Sequence, residues 1–198
     1  MVILESSTLH QLIQRNGGWV TTSQTTAAGI PRSRLSEWVA AGQLYKAERG
    51  VYVLPEVWED EMLALQYRFA AGVFSHETAL YLHKLTDRTP ANYTMTFPHG
   101  YNPTGAKKKG IITKSAQESI FPLGVIEMAS PCSNPIRVYD AERTLCDILR
   151  GKGIDPGVTA AAFKQYLVGG KVDVGKIMGY ARALRVTAKA QNYLEVLL

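Results

Sequence analysis

The sequence predicts an α+β protein with a compact N-terminal part of helices and a β-hairpin, followed by a larger mixed part that ends in helices. Three observations predict this. Apolar residues recur at helical spacing in short segments before residue 42, and Gly50 separates two strand-like runs. Beyond residue 92, short β-branched or aromatic runs are bounded by Pro, Gly and Asn before helical spacing returns at residue 140.

The first two predicted helices are marked by their ends. Thr8–Arg15 has apolar residues on one face and is followed by Asn16-Gly17-Gly18, which stops a helix. A second helix begins at Thr21 or Thr22, either of which can cap it, and is closed by Gly29. Only a brief turn then separates it from the next helix.

The third helix is predicted over residues 31–41, because Pro31 suits a first helical position and Gly42 a left-handed cap. Leu35 lies at the centre of its apolar face. The opposite face carries small polar side chains flanked by arginines, which suits a helix that enters the major groove. An ordinary amphipathic surface helix has the same pattern, so the neighbouring segments decide between the two interpretations. The predicted DNA contacts on these two helices are Thr22, Ser23, Arg32, Ser33, Arg34 and Ser36.

Two strand-like runs follow, Leu44–Ala47 and Val51–Leu54, with Gly50 supplying a turn between them. Lys46 and Arg49 lie on or beside the hairpin tip, where they can meet phosphate oxygens. Helix, helix, helix, hairpin is the order of a winged helix-turn-helix. Residues 1–54 carry five basic and three acidic side chains, a net +2. Such a weak charge predicts that binding to DNA needs dimerisation or help from the second domain.

The whole chain has a net charge of +5 and a pI near 9.2, which favour an anionic partner such as double-stranded DNA. Cys132 and Cys146 are too few for a disulfide framework, and the first residues lack the pattern of a secretion signal. No apolar run approaches the roughly 18 residues that a membrane helix needs. We therefore expect a cytoplasmic protein without a membrane role.

The predicted domains are 1–56 for the winged helix, 57–74 for a connecting helix, and 75–198 for the C-terminal domain. In the last of these, Ser75 caps a helix and Asp140 caps another. The segments predicted between and after them are strands at 93–97, 110–114, 120–128 and 136–138, and helices at 157–168, 174–184 and 187–198.

Two clusters in this domain raise the question of catalysis. His76-Glu77 with His83 invites a zinc hypothesis, but a helical zinc site needs its second histidine where Leu80 stands, so we expect no metal. Around Arg143 lies a dense polar cluster, which we interpret as a structural arginine network rather than a catalytic one.

The sequence contains neither the glycine-rich loop that binds phosphates nor the Gly-x-Ser-x-Gly motif of a nucleophilic serine, so we expect no cofactor and no enzyme. The alternative is a metal-dependent nucleic-acid enzyme that uses Asp140, Glu142 and Asp147.

Basic residues outside the winged helix form a possible secondary surface. Lys107, Lys108 and Lys109 are predicted in a mobile hairpin loop, which can touch DNA or remain solvated. The C-terminal helices add further cations, so this end of the chain is more basic than the winged helix. They are Lys171, Lys176, Arg182, Arg185 and Lys189.

Three motifs together resemble a known family. They are RGVYVLPE at 49–56, FSHETALYLHKLTDRTP at 74–90 and VYDAERTLCDILR at 138–150. They are similar to the AbiEi antitoxins of type IV toxin–antitoxin systems, which are also transcriptional regulators.

The resemblance implies an N-terminal winged helix that represses its own operon at inverted repeats, read by two copies of the chain. It also implies a C-terminal domain that counters an AbiEii-type nucleotidyltransferase toxin without a stable complex. A protein-interaction module that never binds DNA is a further alternative.

Overall fold

The computed structural model describes residues 2–150, 154–170 and 172–197, and it confirms the α+β class. The chain divides into two compact units. The first extends to Ala70 and includes Cys132–Asn134, and the second comprises Ala71–Pro131 and the chain from Pro135 onwards. Within those three described ranges, no helix has the length and apolar character that a bilayer crossing requires.

The first unit has the helix and strand order of a winged helix. Its elements are α1 (Val2–Arg15), β1 (Trp19–Thr21), α2 (Thr22–Ala27), α3 (Arg32–Ala40), β2 (Tyr45–Glu48), β3 (Val51–Val53) and α4 (Glu61–Arg68). The predicted second and third helices and the hairpin are confirmed. The first helix is longer than predicted, since it begins at Val2 rather than Thr8.

A strand that the sequence analysis missed completes the wing sheet. Strand β1 pairs antiparallel with β3, which also pairs with β2, so the strand order is β1-β3-β2. Trp19 lies opposite Val53 and is fully buried. The apolar core of this part of the unit comprises Leu9, Ile13, Val20, Ile30, Leu35, Leu44 and Leu54, which come from α1, β1, α3 and the segments that connect the elements.

Helix α4 differs from the connecting helix predicted over residues 57–74. It begins only at Glu61, because the Asp60 carboxylate caps it by accepting a hydrogen bond of 3.1 Å from the Leu63 backbone N–H. Five consecutive residues, 62–66, are buried. The helix is therefore part of the first unit, which extends beyond residue 56.

The second unit is a mixed sheet with helices. Its elements are β4 (Val73–Phe74), α5 (His76–Leu82), β5 (Thr94–Pro98), α6 (Thr104–Lys108), β6 (Ile112–Ala116), β7 (Val125–Ala129), β8 (Pro135–Tyr139), α7 (Ala141–Arg150), α8 (Pro156–Val168), α9 (Val174–Ala183) and α10 (Thr187–Leu197). The strand order is β6-β5-β4-β8-β7. The three C-terminal helices are confirmed.

The hairpin predicted around Lys107–Lys109 is wrong. Strands β5 and β6 run parallel, so the chain between them must cross over rather than turn back, and the crossover contains helix α6. The strand predicted over 120–128 is also too long. Residues 120–124 form turns that contain Pro122 and Gly124, and β7 begins only at Val125.

Helix α7 lies at the centre of the second unit. It packs against α5, α8, α9 and α10. Eight of its ten residues, from Glu142 to Leu149, are buried. This helix therefore carries a polar cluster into the core, where each polar atom needs a partner.

Candidate nucleic-acid interface

Helix α2 is held by a capping box at its first turn. The Thr21 side chain accepts from the Gln24 N–H at 3.1 Å, and the Gln24 side chain accepts from the Thr21 N–H at 2.8 Å. Both groups satisfy N–H groups that a helix start leaves open. Thr25 is buried beneath, whereas Ser23 is exposed. The capping box therefore fixes the backbone at the start of α2.

Helix α3 presents the predicted polar face to the surface of its unit. Leu35 is buried and anchors the helix, and Arg32, Ser33 and Ser36 are exposed. Arg32 also donates a hydrogen bond of 3.4 Å from Nε to the Thr26 hydroxyl, which links α3 to α2. The predicted division of the helix into an apolar and a polar face is confirmed.

Arg34 occupies a different environment from Arg32. Its guanidinium forms an ion pair of 2.8 Å with Glu37 one turn later on the same helix, and it is half-buried. The Glu37 carboxylate offsets the charge of this guanidinium and occupies one of its five N–H donors. We therefore expect Arg34 to contribute less to DNA binding than Arg32.

The wing turn is attached to the start of α2. The Thr22 N–H donates a hydrogen bond of 2.9 Å to the Gly50 carbonyl, and the Thr22 hydroxyl lies 3.5 Å from the same oxygen. Gly50 has φ +78°, in the left-handed region that favours glycine. Lys46 and Arg49 are both exposed on this hairpin. The structure therefore attaches the wing turn directly to the N-terminus of α2.

A residue that the sequence analysis missed changes the charge of the wing. Glu48 follows Lys46 and Ala47 on β2, but its carboxylate accepts a hydrogen bond of 3.1 Å from the Arg68 guanidinium of α4. It also accepts from the Arg49 N–H at 3.3 Å. The Arg68 guanidinium of α4 thus neutralises the negative charge of Glu48. In the sequence, Arg68 is a basic residue in the last turn of a helix, and no neighbouring residue indicates that it pairs with Glu48.

Residues 7–55 match the family described as transcriptional regulator, AbiEi antitoxin. This segment is similar to the AbiEi antitoxins. The matched residues comprise the winged helix and about a quarter of the 198-residue chain, and they confirm the resemblance predicted from the sequence motifs. Of those motifs, RGVYVLPE overlaps the matched segment, and the other two lie beyond it.

The whole chain also has the fold of a solved structure, that of the RV2827C protein from Mycobacterium tuberculosis. The two share 14% sequence identity with a TM-score of 0.59, over 97% of this chain and 81% of the other. At this identity the likeness concerns the fold alone. No curated protein matches the chain.

Outside the AbiEi segment, two of the cations predicted to form a secondary surface also have partners within the second unit. Lys176 forms ion pairs with Asp140 at 3.1 Å and with Glu142 at 3.0 Å. Lys189 donates a hydrogen bond of 3.0 Å to the Leu149 carbonyl in the last turn of α7. Both side chains remain exposed, as are the other predicted cations Lys107, Lys108, Lys109, Arg182 and Arg185, and Lys171 lies outside the described residues.

The carboxylates proposed as metal ligands have protein partners instead. Besides Lys176, Asp140 Oδ2 accepts a hydrogen bond of 2.9 Å from the Tyr180 hydroxyl, and Glu142 Oε1 accepts one of 2.7 Å from the Tyr166 hydroxyl. Burial alone would raise the pKa of Glu142, but the hydrogen bonds from Tyr166 and Lys176 lower it. No group of three or more His, Cys, Asp or Glu side chains among the described residues could hold a metal ion.

The structural arginine network predicted around Arg143 is confirmed. Arg143 is 1% exposed, and its guanidinium donates to the carbonyls of Ile120 at 2.8 Å and Leu123 at 2.9 Å. It also donates to Asp147 at 3.1 Å and lies over the Tyr139 ring, 4.4 Å from the centroid. The side chain therefore ties the turn before β7 to helix α7.

The start of α5 differs from the prediction that the Ser75 side chain caps this helix. The Ser75 side chain makes no capping hydrogen bond, because its hydroxyl accepts from the Thr96 hydroxyl at 2.8 Å and lies 3.0 Å from His76 Nδ1. All three residues are buried. His83 hydrogen bonds to the Tyr139 carbonyl through Nε2 at 2.7 Å, so the two histidines of the rejected zinc motif have separate roles.

Proposed function

We propose that this protein is a transcriptional repressor that binds inverted repeats in the promoter of its own operon through the winged helix. The observation that carries the proposal is the joint placement of the exposed α3 face and the wing turn, which is bonded directly to the start of α2. Arg32, Ser33 and Ser36 are the proposed base-edge and phosphate contacts of α3. Arg49 and Lys46 are the proposed phosphate contacts of the wing. The AbiEi match over residues 7–55 supports the same assignment.

The promoter region of the protein's own gene is the DNA on which to test this. We expect a mobility shift that survives an excess of unrelated competitor DNA. Arg32→Ala and Arg49→Ala should each weaken the shift about 10-fold, the effect of losing one charge-assisted contact. Lys164→Ala removes an exposed cation from α8 and is the matched control, which should bind as the wild type does. Equal weakening in all three variants would overturn the assignment.

Two copies of the chain are proposed to bind together, because an inverted repeat has two-fold symmetry. Footprinting should then protect two half-sites related by a dyad. Their centres should be about 10 base pairs, or a multiple of one helical turn, apart. Protection of a single unrepeated half-site would contradict this arrangement.

We further propose that the protein is the antitoxin of a nucleotidyltransferase toxin and acts on it through the second unit, without a stable complex. This rests on the AbiEi match and on the SHETAL and YDAERT motifs, which the DNA-binding proposal does not use. Co-expression with the toxin encoded by a neighbouring gene tests it. The Arg32→Ala, Arg49→Ala double variant should still rescue growth, because the proposed DNA contacts lie in the first unit. Failure of the wild-type protein to rescue growth would reject the antitoxin role without affecting the repressor role.

A further inference from the structure

The two motifs left unused by DNA binding meet at one cavity in the second unit. The segment 74–90 supplies His76, and the segment 138–150 supplies three residues of α7. The cavity has a volume of about 240 Å³. Its lining residues are His76, Thr96, Lys114, Ser115, Ala116, Arg143, Asp147 and Arg150.

The lining is strongly cationic. Lys114, Arg143 and Arg150 contribute three positive charges, and Asp147 is the sole acidic group among the described lining residues. Lys114 is held at this position by sheet register, since it lies opposite Thr96 on the parallel pair β5 and β6. Arg150 is exposed at the end of α7, so its guanidinium is accessible from solvent. An anion entering the cavity would meet cations from two different elements.

His76 is a neutral member of the lining. Burial, together with the charges of Lys114, Arg143 and Arg150, lowers the pKa of His76 to about 3, so the imidazole is neutral at pH 7. The Ser75 hydroxyl accepts from the Thr96 hydroxyl and lies 3.0 Å from Nδ1 of His76, which holds the ring in the wall of the cavity. The positive charge of the cavity therefore comes from Lys114, Arg143 and Arg150.

Asp147 leaves an unsatisfied atom in the wall of the cavity. Its Oδ1 accepts from Arg143, but Oδ2 is buried without a hydrogen-bond partner in the described part of the chain. Burial raises the pKa of this carboxyl to about 6, although the nearby Arg143 and Arg150 oppose the shift. With this pKa the carboxyl is mostly ionised at pH 7, and a bound anion would favour its protonation, which turns the carboxyl into a hydrogen-bond donor. An unpartnered buried polar atom in a cavity wall is a mark of a site that is completed by a ligand.

We propose that this cavity binds a phosphate group, carried either by a free nucleotide or by the end of a nucleic-acid strand. A phosphate monoester has close to two negative charges and three acceptor oxygens, which match the guanidinium and ammonium donors of the lining. The volume accommodates a phosphate group together with part of the group that carries it. A metal cation is disfavoured by the three positive side chains. The proposal goes beyond the repressor and antitoxin roles and does not depend on either.

Titration of the full-length protein with inorganic phosphate and with adenosine monophosphate, followed by phosphorus NMR and calorimetry, tests this. Sodium chloride at equal ionic strength is the reference for non-specific screening. Lys114→Gln and Arg150→Gln each remove one cation from the lining. Lys108→Gln, exposed on α6 and absent from the lining, is the matched control. Circular dichroism establishes that each variant is folded.

We expect saturable binding of phosphate by the wild type and the control, and a Kd that is about 10- to 100-fold weaker in the two lining variants. Tighter binding of adenosine monophosphate than of phosphate would identify the free nucleotide as the source. A preference for a short single-stranded oligonucleotide with a 5′-phosphate over the same strand without it would identify a strand end. The absence of saturable binding of any of these ligands, or equal Kd values for Lys114→Gln and Lys108→Gln, would overturn the proposal.

Discussion

The Arg68 guanidinium on α4 donates a hydrogen bond of 3.1 Å to the Glu48 carboxylate on β2, and both side chains are largely buried. Glu48 is the only acidic residue in the sequence of the wing, 45–53. The ion pair therefore neutralises the charge that would otherwise repel a phosphate near Lys46 and Arg49. A residue outside the AbiEi-matched segment thus adjusts the electrostatics of the surface that the segment presents.

Replacement of Arg68 by Met should weaken DNA binding while the fold is retained. The Glu48 carboxylate then loses its ion pair with Arg68, and we expect about 5-fold weaker binding of the promoter fragment, the effect of about 1 kcal/mol of added repulsion. Adding Glu48→Gln to this variant should restore most of the affinity. Unchanged affinity of Arg68→Met in a mobility-shift titration, or no recovery in the double variant, would contradict this role of the pair.

Replacement of Gly50 by Ala tests the bond between the wing turn and α2. The new methyl group would lie 3.3 Å from the Thr22 hydroxyl, in a residue with φ +78°. Gly29→Ala is the matched control, because Gly29 has φ +71° but no atom within 4 Å of the added carbon. Left-handed backbone costs about 1 kcal/mol in both variants.

We expect Gly50→Ala to lower the free energy of unfolding by more than Gly29→Ala, as measured by urea denaturation. The difference reflects the shift that Thr22 must make and the weakening of its contact with the Gly50 carbonyl. Equal losses of stability in the two variants would show that the wing turn and the start of α2 are not coupled.

Replacement of Arg143 by Met should strongly destabilise the second unit. The change removes the hydrogen bonds to the Ile120 and Leu123 carbonyls and leaves Asp147 as a buried charge without its partner. We expect a loss of about 3–5 kcal/mol in the free energy of unfolding. The Arg143→Met, Asp147→Leu double variant should lose less than the sum of the two single variants. Additive losses in urea denaturation would show that the pair is not coupled.

The neutral His76 predicts an acid-sensitive fold. Its pKa is about 3 in the folded protein and about 6.5 when unfolded, so the unfolded chain binds the extra proton and stability falls as the pH drops below 6.5. His76→Asn removes this titration, and asparagine tolerates the φ of +51° found at residue 76. Asp147 acts in the opposite direction, since its raised pKa lowers stability as the pH rises from about 4 to 6. That contribution is retained in the variant.

Urea denaturation at pH 7 and pH 5 measures the effect. Between these values the wild type should lose about 2 kcal/mol more than His76→Asn. Between pH 7 and pH 8 the two proteins should respond equally, because His76 is neutral in both the folded and the unfolded chain. An identical pH response below pH 6.5 would mean that His76 is protonated in the folded protein.

Helix ends in the first unit were predictable because they are local. The Thr21 cap, Pro31 and Gly42 are chemical signals within a few residues of the turn they control. The exposed face of α3 followed from the position of Leu35 in the helical period. By contrast, β1 has three residues, and Trp19 is extended because it pairs with Val53, a contact over a sequence separation that no local pattern encodes.

The same limit applies to charged side chains. The sequence placed Lys176 on a basic surface, and the structure pairs it with Asp140 and Glu142 at the start of α7. Burial opposes its charge, yet these two carboxylates raise the pKa of Lys176 above its usual value. Lys176 and Arg182 are both exposed, so counting charges along the chain could not show that Lys176 is paired with two carboxylates. Long-range ion pairs therefore decide which cations are available for DNA.

The salt dependence of promoter binding tests the central claim most directly, because it counts the phosphate contacts of the winged helix. For the wild type, the logarithm of the association constant should fall linearly with the logarithm of the salt concentration. Each of Arg32→Ala and Arg49→Ala should reduce the slope by about 0.9, the effect of one lost phosphate contact. Lys164→Ala should leave the slope unchanged. Slopes for Arg32→Ala and Arg49→Ala equal to that of the wild type would contradict the assignment of α3 and the wing as the DNA-binding surface.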